Sequence, residues 1–242
     1  MKIIEKIKNR NTDCHAHKIP KIVAFGDSCT QGCFELIVLG DGKYEPVYDK
    51  NSVYHAYLSD ILAELFPRAA VTVVNAGING DDTEGALKRI ERDVISENPD
   101  LTIVSFMPND CVVRGWEYAE TYEQNLREIF TQMRASGSEI IFLTHPLSCV
   151  EISPEITDPT LRRIAKDISD KQKEGLNAHY KEIALKVAAE FSVPVCDINE
   201  RWKDLYDVGV NTDSLLSNHI NHPVRSMGKM TARMLLDIML TK

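Results

Sequence analysis

Ile22-Val23-Ala24-Phe25-Gly26-Asp27-Ser28 sets the frame for the whole chain. Its first four residues form an apolar run with two β-branched members. Such a run fits a short strand covered on both faces. The run ends at Gly-Asp, a turn-forming pair, and a serine follows at once. Four further runs read the same way: Val71-Thr72-Val73-Val74, Leu101-Thr102-Ile103-Val104-Ser105-Phe106, Ile140-Ile141-Phe142-Leu143 and Val193-Pro194-Val195-Cys196.

Helical patterns lie between these strands. Ala86, Leu87, Ile90 and Val94 recur at helical spacing, with Thr83 as the expected N-cap. Leu126, Ile129, Phe130 and Met133 repeat the pattern. So do Leu176, Tyr180, Ile183, Val187 and Phe191, and near the end Met227, Met230, Met234, Leu235 and Ile238. Alternating strands and helices predict an α/β fold with a five-stranded parallel sheet, helices on both faces and right-handed crossovers. Ligands in such folds sit beyond the carboxyl ends of the strands.

Two segments read as insertions. Residues 40–51 carry Gly, Asp, Tyr and Pro and suggest a small hairpin. Residues 148–170 are charged, contain Pro154 and Pro159, and read as a long connection of the kind that forms lids or specificity loops. Residues 1–20 are polar and read as an N-terminal extension, with residues 21–242 as the folded domain. Cys14-His15-Ala16-His17 falls in that extension, where a loosely packed tail is expected.

At 242 residues with 43% hydrophobic and 26% charged, the chain can bury a sizeable core. The net charge of −8 argues against nucleic acid as a partner, because phosphate binding needs clustered Lys and Arg. No stretch approaches the roughly 18 apolar residues of a membrane span. The start lacks the apolar core of a secretion signal, so a cytoplasmic location is expected. The six cysteines show no framework spacing and read as free thiols. Gly-x-Ser-x-Gly, the Walker loop and Gly-x-Gly-x-x-Gly are all absent, which removes the α/β-hydrolase elbow and any support for nucleotide binding.

The chemistry lies in four short stretches. Ser28 follows the first strand, and a base would make its hydroxyl a nucleophile. Gly80, in Asn75-Ala76-Gly77-Ile78-Asn79-Gly80, follows the second and offers a backbone N–H. Asn109, in Pro108-Asn109-Asp110, follows the third and offers a side-chain amide. His222, in Asn221-His222-Pro223, precedes the last helix and is the natural general base. Each alone is ordinary turn chemistry; their order and their equivalent placement carry the argument.

In these blocks the chain resembles the SGNH hydrolase superfamily, also called the GDSL esterase/lipase family, from about Lys21 to the C-terminus. The resemblance implies a flavodoxin-like three-layer α/β/α sandwich. It also implies Ser28 as nucleophile, an oxyanion hole from the Ser28 and Gly80 N–H groups and the Asn109 amide, and His222 as base and then acid.

Three departures stand out. Cys29 replaces the family's Leu after Gly-Asp-Ser. Met107 replaces a Gly two residues before Asn109 and is expected to narrow the site. His219 stands where the family places the Asp that orients the base. Three outcomes stay open: a backbone carbonyl orients His222 in a Ser–His dyad, Asp213 reaches in from the preceding loop, or the protein only binds. The dyad is the reading adopted.

The expected function is therefore hydrolysis of a small-molecule carboxylic ester, with a short acyl group such as acetyl on a carbohydrate. Thioester and lysophospholipid cleavage stay open. No cofactor is expected. A metal site among His219, His222, Asp27 and Cys29 lacks a zinc-type spacing, so no metal is expected. Oxidation of Cys29, Cys33 or Cys111 would be one route to inhibition. The alternative from another class is a non-catalytic carbohydrate- or small-molecule-binding protein on the same scaffold.

Overall fold

A computed structural model describes residues 1–241. Five parallel strands form one sheet: β1 (Lys21–Gly26), β4 (Thr72–Gly77), β5 (Leu101–Ser105), β6 (Glu139–Leu143) and β7 (Val195–Cys196), in the order β4-β1-β5-β6-β7. This is the doubly wound order in which the direction of strand addition reverses between β1 and β5, and that switch opens a crevice at their carboxyl ends. Alternate residues of β1 serve opposite faces, as strand geometry requires. Val23 and Phe25 pack with α4 (Thr83–Asp93), α5 (Ala119–Ala135) and α7 (Leu176–Glu190). Ile22 and Ala24 pack with α1 (Lys2–Thr12), α3 (Tyr54–Leu65) and α9 (Arg225–Leu240).

The α/β/α sandwich expected from the sequence is present. Several local expectations change. The run Val71–Val74 is only partly covered, because β4 is the sheet edge and its first four residues stay partly or fully exposed. The cap of α4 is Asp82, whose carboxylate accepts the Gly85 N–H, and Thr83 is already helical. Residues 1–12 are no loose tail. Ile3 and Ile7 are fully buried, and Glu139 accepts hydrogen bonds from the Lys2 and Ile3 amides at the start of α1. Cys14 to His17 do lie in an exposed or half-exposed turn.

Both insertions are structured. A one-turn helix α2 (Ser28–Gln31) follows β1, and the hairpin β2 (Cys33–Gly40) and β3 (Lys43–Tyr48) follows it, so the hairpin begins well before residue 40. The second half of residues 148–170 belongs to helix α6 (Pro159–Lys173), so only residues 148–158 form a loop. Asp158 caps it by accepting the Thr160 and Leu161 amides, and Pro159 occupies its first turn, where a missing N–H costs nothing. Helix α6, the short helix α8 (Ile198–Asp207) and the segments around Cys149, Leu216 and Ile220 bury a third apolar cluster, which forms one flank of the crevice. No helix among the described residues is long and apolar enough to cross a membrane.

Close backbone contact fixes where α2 sits. A Cβ built on Gly77 would lie 2.2 Å from the Gln31 amide nitrogen and 2.6 Å from the Thr30 carbonyl carbon. Only glycine lets the end of β4 approach the turn that carries Ser28 this closely. Gly77→Ala is expected to destabilise the fold by about 1–3 kcal/mol, as overpacking against rigid backbone does. Denaturant unfolding checks this; an unchanged midpoint would contradict the packing account.

Candidate active site

Ser28 is the first residue of α2, and Asp27 caps that helix by accepting the Cys29 amide at 3.0 Å. The serine is only 7% exposed. Its Oγ lies 3.0 Å from His222 Nε2, while His222 Nδ1 lies 3.0 Å from the Phe34 carbonyl oxygen. A carbonyl only accepts, so Nδ1 carries the proton and donates to Phe34. Nε2 is then left as the acceptor for the Ser28 hydroxyl. The ring is 6% exposed, and burial depresses its pKa below the ordinary 6.5. The Phe34 carbonyl and the charge of Asp27 oppose that shift, and His145 adds to it. The imidazole is thus neutral at pH 7 and able to accept a proton.

The turn that presents His222 is built by Asn218. Its Oδ1 accepts the amides of Ile220, Asn221 and His222 at 2.9–3.0 Å. The His222 carbonyl accepts the Ser217 amide at 2.7 Å. Three residues beyond the histidine, Arg225 lies over the Phe34 ring at 4.3 Å and donates to Glu35 and Asp49. Arg225 thereby ties the base of the hairpin, and the Phe34 carbonyl with it, to the start of α9.

Neither His219 nor Asp213 holds the His222 ring. His219 adopts φ 56° and turns its Nε2 to within 3.4 Å of Glu155, in a depression separate from the crevice. Both Asp213 carboxylate oxygens are used on the Val150 and Glu151 amides, at 2.7 and 2.9 Å. Met107 does not narrow the site either: it is buried in the apolar core shared with α4, α5 and α7, away from the crevice lining. The thiols are poor targets for oxidation, because burial pushes Cys33 up to about 11, Cys111 up to about 12 and Cys29 well above its ordinary value.

Gly80 and Asn109 face the same crevice as Ser28 and His222, a cavity of about 530 Å³. Gly80 takes φ +76°, a conformation costly for other residues. One N–H of the Asn109 side chain is held by the Asp81 carbonyl at 2.7 Å, which fixes the amide and leaves its second N–H. The Gly80 loop is tied to α2 as well, since Gln31 Oε1 accepts the Asn79 amide at 2.6 Å. Beneath the loop, Arg89 is 6% exposed and donates to the Gly26 carbonyl at 3.0 Å, the Ala76 carbonyl at 2.7 Å and Asp81 at 2.7 Å. One guanidinium therefore joins the ends of the strands that lead to Ser28 and to Gly80.

Phe34, Asn218, Arg225 and Arg89 escape a reading of the sequence by motif. Only Arg89 left a signal: it lies on the same helical face as Ala86 and Ile90, where a charge is out of place.

Residues 24–224 match the GDSL-like lipase/acylhydrolase family. The chain belongs to this family. An acetylxylan esterase of Geobacillus stearothermophilus is 29% identical over 133 residues, covering 51% of this chain and 58% of the relative. An arylesterase of Vibrio mimicus is 28% identical over 119 residues, 48% of this chain and 56% of the relative. The chain thus aligns with little more than half the length of these relatives. Among solved structures, the lipase/acylhydrolase of Enterococcus faecalis superposes with a TM-score of 0.64 at 23% identity, over 91% of this chain and 95% of the other. A GDSL-like lipase from Parabacteroides merdae gives 0.68 at 18% identity, over 91% and 95%. These likenesses extend the family fold over nearly the whole chain.

The GDSL-family site also holds a buried acid, Asp110, beside Asn109. It accepts the Thr83 amide at 3.0 Å and the Thr83 hydroxyl at 2.5 Å, joining the Asn109 turn to the start of α4. Burial raises its pKa from 3.8 to about 7, against the pull of those two hydrogen bonds. A folded value above the unfolded one contributes stability that is full below pH 3.8 and lost as pH rises through about 7. The stability advantage of the wild type over Asp110→Asn should therefore shrink as pH rises across that window. Thermal unfolding of both proteins at a series of pH values checks this, and a constant difference would contradict it.

Proposed function

We propose that the protein is a serine-dependent carboxylic ester hydrolase that works through an acyl-enzyme, with a Ser28–His222 dyad in place of a full triad. The observation that carries the reading is the 3.0 Å contact between Ser28 Oγ and His222 Nε2, with Nδ1 committed to the Phe34 carbonyl.

In this mechanism Ser28 Oγ attacks the acyl carbon while His222 Nε2 takes the hydroxyl proton. The oxyanion that forms is held by the Ser28 and Gly80 backbone N–H groups and the Asn109 amide. Collapse expels the alcohol, which leaves with the proton from His222. Water then attacks the acyl-serine with His222 again as base, and the carboxylic acid departs. In serine proteases, exchanging the orienting Asp for Asn costs about 10⁴ because the tautomer is wrong. Here the Phe34 carbonyl sets the correct tautomer, which is why a dyad suffices.

Short acyl esters, such as acetylated carbohydrate, fit this site best. Support comes from the mixed crevice, in which Leu36, Pro46 and Val112 face Asn79, Asn218 and Asn221. Polar groups among apolar walls suit a sugar alcohol better than a long lipid tail. The acetylxylan esterase relative points the same way.

Hydrolysis of p-nitrophenyl acetate, butyrate and octanoate, and release of acetate from acetylated xylo-oligosaccharide, test the reading. Wild-type turnover should favour acetate and fall by at least ~10³-fold in Ser28→Ala. Equal rates in the two proteins would remove Ser28 as nucleophile. Carbohydrate binding without any turnover would instead establish the non-catalytic alternative.

A further inference from the structure

Asp27, Cys29 and His145 converge just behind the nucleophile. One ligand atom from each lies within 4.8 Å of the others. His145 follows β6 and is 4% exposed, yet neither of its ring nitrogens has a hydrogen-bond partner. Its Nε2 lies 3.0 Å from Asp27 Oδ2, but off the line that an N–H bond requires. A buried imidazole with both nitrogens unsatisfied is unusual, because buried polar groups are almost always paired. Asp27 is 1% exposed and uses its other oxygen on the Cys29 amide, which leaves Oδ2 facing His145. Cys29 and His145 also border a small cavity of about 50 Å³.

We propose that Asp27, Cys29 and His145 form a binding site for one thiophilic divalent cation of the Zn²⁺ type, and that its occupancy suppresses the dyad. Carboxylate oxygen, thiolate sulfur and imidazole nitrogen together are a borderline-soft donor set, favouring zinc over magnesium or calcium. Bonds of about 2.0–2.3 Å in a tetrahedron place ligand atoms roughly 3.3–3.8 Å apart. The ligand atoms, all within 4.8 Å of one another, lie within about 1 Å of that spacing. The Cys29 thiol loses its proton to solvent as the metal–sulfur bond forms, and no other bond changes. A dication here sits beside Ser28 and opposes the positive charge that His222 takes up. Metal binding stands apart from the esterase reading, and the suppression rests on it.

The test uses Co²⁺ as a spectroscopic probe and Zn²⁺ calorimetry on the full chain, with Cys29→Ser, His145→Ala and His145→Gln. One equivalent should bind, with a thiolate-to-cobalt absorption band that disappears in Cys29→Ser. Zn²⁺ affinity should fall at least tenfold in all three variants, each checked for folding by circular dichroism, and hold in Cys14→Ser/His17→Ala. Affinity that survives in the first three variants, or is lost with Cys14 and His17, overturns the site. Ester hydrolysis by the wild type should fall at least tenfold on saturation with Zn²⁺ and recover with EDTA. Full activity with the metal bound overturns the suppression. Absence of turnover in the metal-free protein would fault the esterase reading while leaving the binding result legible.

Discussion

The His222 imidazole, held between a backbone carbonyl and a serine hydroxyl, is the contact around which the site is organised. Its Nδ1 is 3.0 Å from Phe34 O and its Nε2 3.0 Å from Ser28 Oγ. The partners come from positions 188 and 194 residues away in the chain, so the whole fold must close before the contact exists. A carbonyl dipole fixes ring orientation and tautomer as a carboxylate would, but brings no full charge to the imidazolium. The negative charge nearest in kind is Asp27, next to the serine, whose field raises the His222 pKa against the effect of burial.

Arg89 plays the corresponding part for the segments that carry Gly80 and Asn109. Its guanidinium takes the carbonyls that close β1 and β4 and the Asp81 carboxylate, and it stacks 4.7 Å over Phe25. Burying a cation is costly unless its donors are satisfied, and here backbone and carboxylate oxygens satisfy them. Removing one partner of such a buried set typically costs about 3–5 kcal/mol. The Asp81 carbonyl also receives the Asn109 amide, so one charged group is linked to the Ser28, Gly80 and Asn109 segments together. That linkage gives a physical reason for three motifs, distant in sequence, to meet at one crevice.

The parts legible in the sequence were those with local causes. β1, β5 and β6 read clearly because both of their faces are covered. β4 read as a strand, but its edge position was invisible, since apolar composition alone does not distinguish edge from centre. Helix α6 was obscured by Pro159, which by composition suggests a loop. In place, the proline opens the helix, and Leu161, Ile164, Ala165 and Ile168 face one way at helical spacing. The four site blocks were legible because each lies at the end of a regular element. The orienting partner of His222 was not, because it is a main-chain carbonyl that any residue at position 34 would supply. His145 also follows a strand, yet it belongs to no motif, and only packing brings it to Asp27.

The most direct test of the account is the tautomer of His222, read by ¹⁵N NMR of histidine-labelled protein at neutral pH, with assignment by His222→Gln. The account requires protonation at Nδ1 and a free lone pair at Nε2. A ring protonated at Nε2 would mean that Phe34 does not orient the base and that Ser28 has no proton acceptor, which would contradict the dyad.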